Sequence, residues 1–479
     1  MTFNSIEFLI FYPIVAFLYF ILPKCCKWPM LLIASYVFYA YYSPSLALLI
    51  FATTLVSWGS SMIIERTERV AVRRSFLVLT LVVCLGVLFF YKYFDFLSES
   101  IALIFGRDPF LLNLMLPVGI SFYTFQTLSY VIDVYRKEVK TEKNFFFYAL
   151  FVSFFPQLVA GPIERPSNLM PQLKEEHKFS SENFKAGGKF MLLGFFKKIC
   201  VADLVAPYVN AVFNNAGEAS SLTVIIATLL FALQIYCDFS GYTDIAIGCA
   251  RIMGIRLMKN FDHPYRAETV KEFWSRWHIS LSTWFRDYLY IPLGGNRCKR
   301  WRHLLNLFIV FLVSGLWHGA AWTFVIWGAL HGIYQIIGTL TYKKRNLLLS
   351  KVGLSEKSIS VRAVRRCVTF ILVSVGWIFF RANSISDALT LFEKLFTVHV
   401  SFGEAFDFLG LSTVNLLLII SAFLVLLILD NLVTYEGEGD GSDSLVLGGS
   451  FIYVIWVILI IWLLLFSKDM ISTFIYFAF

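Results

Sequence analysis

Apolar runs recur along the whole chain, the clearest at residues 8–22, 75–93, 111–131, 222–236, 368–380, 416–429 and 452–466. A helix crosses the hydrocarbon of a bilayer with about 20 consecutive apolar residues. Several of these runs are shorter than that. Allowing for re-entrant or broken segments, the pattern predicts roughly 10–12 membrane helices. The first run lacks the basic start and small-residue cleavage site of a removable signal and reads as a retained helix. No internal repeat, low-complexity tract or long extramembrane segment interrupts the pattern, so one membrane domain over residues 1–479 is the economical reading.

Composition agrees: 58% of residues are hydrophobic, 18% aromatic and only 15% charged, far from soluble usage. A net charge of +9 in so apolar a chain points to loops facing the cytoplasm and anionic headgroups rather than to nucleic acid. The basic stretches at residues 65–74 and 135–143 should lie inside, whereas residues 41–45 and 95–100 carry no basic side chain. If residues 8–22 run from outside to inside and residues 28–64 form a helical pair, both basic loops become cytoplasmic. The N-terminus is then extracytoplasmic. The eight cysteines have no metal-ligand spacing and read as small apolar filler.

The longest polar excursions are residues 162–189, 251–302 and the acidic loop 435–444. Residues 251–302 hold eleven Lys or Arg against four Asp or Glu, interleaved with Trp274, Trp277, Trp284, Tyr288, Tyr290 and Trp301. On a helix, Trp274, Trp277, Leu281, Trp284 and Tyr288 form one aromatic stripe, with Ser275, Arg276, Ser282 and Arg286 largely off it. One reading is an interfacial amphipathic helix anchored by tryptophans. The other places His278, Arg276 and Arg286 at a reaction chamber and at the phosphates of an anionic ligand.

His318 lies inside the apolar run "SGLWHGAAWTFVIWG". Ionisable residues in the membrane are costly and usually face a protein interior or a wet cavity, although a neutral histidine bonded to a neighbouring helix is the plainer alternative. The flanking Gly315, Gly319, Ala320 and Ala321 let another backbone or a slender substrate come close. His331, in "WGALHG", is harder to place and reads as structural. Imidazole suits proton abstraction near neutral pH, and an activated thioester needs little more than a deprotonated hydroxyl and a stabilised oxyanion. Acyl transfer fits. No nucleophile elbow, P-loop, dinucleotide fingerprint or zinc motif is present.

"FWSRWHISLSTWFRDYLYIPLGGNR" followed by "SGLWHGAAW" resembles the signature of the membrane-bound O-acyltransferase (MBOAT) family. "LPVGISFYTFQTLSY", "FPQLVAGPIERP", "GFFKK", "QIYCDFSGYTDIAIG" and "GWIFFRA" resemble its bacterial alginate O-acetylation (AlgI-like) branch. The motif core spans about residues 116–332 and the likeness runs over nearly the whole chain. The resemblance implies an all-α polytopic membrane protein, with a ring of transmembrane helices and re-entrant or interfacial helices around a central tunnel. It maps the two signature histidines onto His318 and His278, with His318 as the base for an acceptor hydroxyl and His278 orienting the thioester or stabilising its oxyanion.

Arg276, Arg286, Asp238, Ser240 and Trp317 are the candidates for holding donor or substrate. Helix–helix hydrogen bonding is an equal alternative for Asp238, Ser240 and Asp244. Gln157, Glu164 and Arg165 are candidates only for shaping the entrance. No bound cofactor and no metal are expected. Acetyl-CoA or another acyl thioester is the implied donor and an exported polysaccharide the acceptor. A separate exported or membrane-anchored acetyltransferase is the implied partner, in a bacterial inner membrane. The rival within the family is D-alanyl transfer to teichoic acid. A polysaccharide-precursor transporter or flippase with His318 as proton relay is the rival of another class, and a receptor or scaffold descended from the enzyme is a third option.

Overall fold

The computed structural model describes residues 1–432, apart from 42, 160, 398 and 400, together with residue 460. The run 452–466, save residue 460, and the acidic loop 435–444 lie outside the described residues. Among the described residues the chain is helical and contains no strand. It divides into two compact units, Met1–Phe195 with Tyr242–Met258, and Phe196–Gly241 with Lys259–Phe479.

The first unit holds α1 (Ile6–Ile21), α2 (Lys24–Ala40), α3 (Pro44–Arg66), α4 (Val70–Leu88), α5 (Phe94–Phe105), α6 (Ile120–Arg136), α7 (Phe145–Ser153), α8 (Phe155–Leu158), α9 (Pro166–Lys174) and α10 (Ser181–Phe195). Local chemistry sets their starts. The Ser5 hydroxyl accepts from the Phe8 N–H at 3.2 Å and caps α1, Asn144 caps α7, and Pro44 sits in the first turn of α3, where its missing N–H costs nothing. The run 111–131 is not one helix: α6 begins only at Ile120, after Pro117 and a left-handed Gly119. Some buried polar groups pair inside the unit: the Ser57 and Tyr148 hydroxyls meet at 2.9 Å and Gln126 donates to the Phe151 carbonyl at 2.6 Å. The two basic stretches converge on one end of this unit, since Arg73 donates to the Tyr135 carbonyl and Glu65 bonds the Thr141 hydroxyl.

The second unit holds a π-helical turn at Phe196–Asp203, α11 (Leu204–Phe213), the first part of α12 (Ser221–Ile252), α13 (Val270–Arg276), α14 (Ile279–Phe285), α15 (Arg300–His318), α16 (Trp322–Lys351), α17 (Ile359–Arg381), α18 (Ile385–Thr397), α19 (Phe402–Leu409) and α20 (Thr413–Leu432). Among the described residues five helical runs are long and apolar enough to cross a membrane: α3, Val70–Phe105, α12, α16 and α17. The pair α19 and α20, bent by 88°, makes six if counted as one span, and α1 is shorter. Side chains such as Ile6, Phe17, Ile21, Val82, Leu103 and Ile104 are exposed and apolar, as a lipid-facing surface requires. The protein is an all-α, multi-pass membrane protein.

Candidate active site

The aromatic stripe of residues 274–288 is not one amphipathic helix. Thr269 caps α13 by accepting from the Glu272 N–H at 3.0 Å, and α13 stops at Arg276. The chain then turns at His278, whose φ of 46° and ψ of 55° put a non-glycine residue in the left-handed region. Such a conformation costs about 1–2 kcal/mol and persists only where surroundings enforce it. Here the enforcing residue is Asn260. Its carbonyl accepts from the Ile279 N–H at 2.9 Å and its side-chain oxygen from the Ser280 N–H at 3.2 Å, which satisfies the first donors of α14. Trp274, Trp277, Leu281 and Trp284 are buried in protein, so the lipid-anchored reading of the stripe is overturned.

The same Asn260 fixes the chemistry of His278. A backbone N–H can only donate, so the atom facing Ser280 must be the amide oxygen of Asn260. That oxygen also lies 3.1 Å from His278 Nδ1, which must therefore carry a proton and donate. The Nε2 of a neutral His278 is then its accepting nitrogen. Full burial pushes the His278 pKa down to about 3, which keeps the ring neutral. Phe239 stands edge-on to the imidazole, with centroids 4.7 Å apart and planes at 90°.

His318 ends α15, and its position follows from the α15–α16 hairpin. A Cβ on Gly315 would lie 2.3 Å from the Phe324 carbonyl oxygen, and one on Gly328 would lie 2.4 Å from that of Phe311. Gly315 and Gly328 therefore serve backbone approach, whereas a Cβ on Gly319 would lie 2.1 Å from the Phe324 ring. Behind His318 stand Trp327 at 5.0 Å and Phe380 at 5.5 Å between ring centroids. Trp317 contacts both signature histidines, at 5.0 Å from His318 and 5.9 Å from His278. All three side chains are buried. His331 plays a different part. Its Nδ1 accepts from the Trp274 indole N–H at 3.1 Å, and Gly376 leaves room for its ring, where a Cβ would lie 2.8 Å from Nε2.

The remaining candidates are engaged elsewhere. Arg276 is held by Glu272 at 2.8 Å and donates to the Asp262 carbonyl at 3.2 Å, closing the loop before α13 onto the turn at His278. Arg286 is exposed and grips its neighbour Asp287 at 2.8 and 3.3 Å. Asp238 is buried against Lys198 at 2.7 Å, and Lys198 also meets Asp203 at 2.8 Å. Ser240 is buried one residue beyond Phe239. In the other unit Glu164 is fully buried, accepting from the Met258 N–H and from Asn168 at 2.7 Å; burial pushes its carboxyl up to about 7. Gln157 donates to the Phe151 carbonyl at 3.2 Å.

Sequence reasoning missed Asn260 and the ion triad of Lys198, Asp203 and Asp238. Two consecutive lysines, Lys197 and Lys198, inside "GFFKKICVAD" were a usable signal for the triad, because charge in an apolar run requires buried partners. Nothing local marks Asn260, which acquires its role only from a segment 18 residues later.

The sequence matches the model of the membrane-bound O-acyltransferase family over residues 134–375. It is 39% identical over 403 residues to the probable alginate O-acetylase AlgI of Pseudomonas aeruginosa, covering 83% of this chain and 75% of that one. It is 35% identical over 430 residues to the peptidoglycan O-acetyltransferase of Helicobacter pylori, covering 82% and 80%. Similarity to the teichoic acid D-alanyltransferase of Streptococcus thermophilus is 28% over 289 residues, covering 55% and 68%. The protein is a polytopic acyltransferase, and the chain belongs to the membrane-bound O-acyltransferase family.

Proposed function

We propose that this enzyme transfers an acetyl group from a cytoplasmic thioester, with acetyl-CoA as the first donor to try, toward the O-acetylation of an exported polysaccharide. The carrying observation is the contact of the Trp317 indole with both His278 and His318, which sets two buried imidazoles on one aromatic wall. His318 takes the proton of the acceptor hydroxyl. The hydroxyl oxygen bonds the thioester carbonyl carbon, the C–S bond breaks, and the proton leaves with the thiolate. His278, with Nδ1 committed to Asn260, offers an accepting Nε2. This favours orienting the donor, for instance through an amide N–H, over hydrogen-bonding an oxyanion.

O-acetyl rather than D-alanyl transfer is supported by the O-acetylating relatives, which match far more of the chain. The glycan is alginate-like or peptidoglycan, reached through a separate exported or membrane-anchored acetyltransferase. The protein lies in a bacterial inner membrane with its N-terminus outside, an orientation supported by the two basic stretches meeting at one end of the first unit. Arg276 and Arg286 would meet donor phosphates only by exchanging their present carboxylate partners, and Asp238 and Ser240 would act through Phe239.

The test is donor turnover by the purified protein in detergent, normalised to folded protein. His318→Ala should lower it by about 10²–10⁴-fold with folding intact. Turnover near wild type would sink the assignment. Turnover of a D-alanyl carrier-protein thioester but not of acetyl-CoA would move the enzyme to the rival reaction.

A further inference from the structure

The basic end of the first unit contains a cavity of about 650 Å³ that plays no part in the acyl-transfer reading. Its walls include Tyr19, Trp28 and Phe147, and its charged residues are Lys24, Lys27, Lys174, Glu142 and Glu175. Lys174 is neutralised by Glu142 at 2.5 Å, and both Lys174 and Glu175 are exposed. Lys27 differs. It is 8% exposed, its ammonium donates to the His177 carbonyl at 2.7 Å and lies 5.0 Å from the Tyr19 ring centroid, and among the described residues it forms no ion pair. A buried ammonium has three donors, of which that carbonyl takes one, and its charge calls for an anion. The site adds a second positive feature, because α2 starts here behind Pro23 with no side chain capping its free N–H groups.

We infer that this cavity binds the phosphate of an anionic phospholipid headgroup, seated between the ammonium of Lys27, the rim ammonium of Lys24 and the first turn of α2. Helix N-termini and lysines suit phosphate, and basic pockets between membrane helices on the cytoplasmic side take such headgroups. A lipid source is favoured over a soluble phosphate by position. The cavity lies where α1 ends, at the end of the unit where the two basic stretches meet, and Trp28 in its wall suits the depth of headgroups.

Native mass spectrometry of the delipidated full-length protein tests this, using dioleoyl phosphatidylglycerol, dioleoyl phosphatidylcholine and ADP as probes. One phosphatidylglycerol should be retained at least ten-fold more tightly than phosphatidylcholine, and ADP should not displace it. Lys27→Gln and Lys24→Glu should each weaken that binding about ten-fold or more. Because Lys27 is buried, its variant is read only if it elutes monodisperse; Lys24→Glu, on the exposed rim, carries the test alone otherwise. Equal retention of the two lipids, or wild-type phosphatidylglycerol binding in Lys24→Glu with a folded Lys27→Gln, overturns the proposal. One-for-one displacement by ADP overturns the lipid source.

Discussion

The Nδ1 of His278 lies 3.1 Å from the side-chain oxygen of Asn260, and that oxygen is committed at the same time to the N–H of Ser280. One asparagine thus sets both the left-handed turn that presents the imidazole and the tautomer it holds. Replacing Asn260 by Leu should remove the acceptor that sets the His278 tautomer and should lower donor turnover by about 10²-fold, the low end of what acid–base and orienting groups supply. Asn260→Asp retains the acceptor and should recover part of the loss, with its pH optimum moved because a carboxylate favours the charged imidazolium. Equal, pH-independent losses in both variants would indicate a purely structural asparagine.

Burial of neutral His278 has a pH signature. Its pKa falls from 6.5 to about 3 on folding, so between those values the unfolded chain binds a proton at this position and the folded chain does not. Stability therefore rises with pH through that window, is fully present above 6.5 and is lost on acidification. The slope from this one group reaches about 1.4 kcal/mol per pH unit. Melting temperatures in detergent between pH 7 and 4.5 should fall more steeply for wild type than for His278→Asn. Parallel curves would contradict a buried neutral imidazole.

His331 should behave differently from His318. Its replacement by Ala opens a void and leaves the buried Trp274 N–H without its acceptor, a cost of about 1–3 kcal/mol for the hydrogen bond alone. Thermal stability and folded yield should drop, while turnover per folded molecule stays within a few-fold of wild type. A large loss of turnover at unchanged stability would assign His331 to the chemistry.

The triad of Lys198, Asp203 and Asp238 should respond asymmetrically. Lys198→Met removes the ammonium that two buried carboxylates share and should cost about 3–5 kcal/mol. Adding Asp203→Asn and Asp238→Asn to Lys198→Met should recover much of that loss, since no buried charge of the triad then lacks its counter-ion. Folded yield and melting temperature across the series measure this, and identical values for single and triple variants would show that the charges are solvated.

The sequence alone determined that the chain is a polytopic helical membrane protein and that His318 stands out, because apolar runs of bilayer length and an imidazole within one of them are local properties, whereas His278 stood out by its motif in a basic segment. The order and spacing of the "RWHISL" and "LWHG" motifs were enough to indicate the family. Helix periodicity failed at residues 274–288 because it assumes a continuous helix, whereas Asn260, distant in sequence, stabilises a left-handed break at His278 and buries the tryptophans in protein. Likewise, the glycines around His318 marked a close approach, and only the packing of α15 on α16 identified the approaching group, the Phe324 carbonyl at Gly315 and the Phe324 ring at Gly319. Which nitrogen of His278 accepts, which aspartates balance Lys198, and that His331 serves Trp274 are all pairings across long sequence separations. Tertiary structure alone decides those, because burial forces each polar group to find a partner and the fold determines which one is within reach.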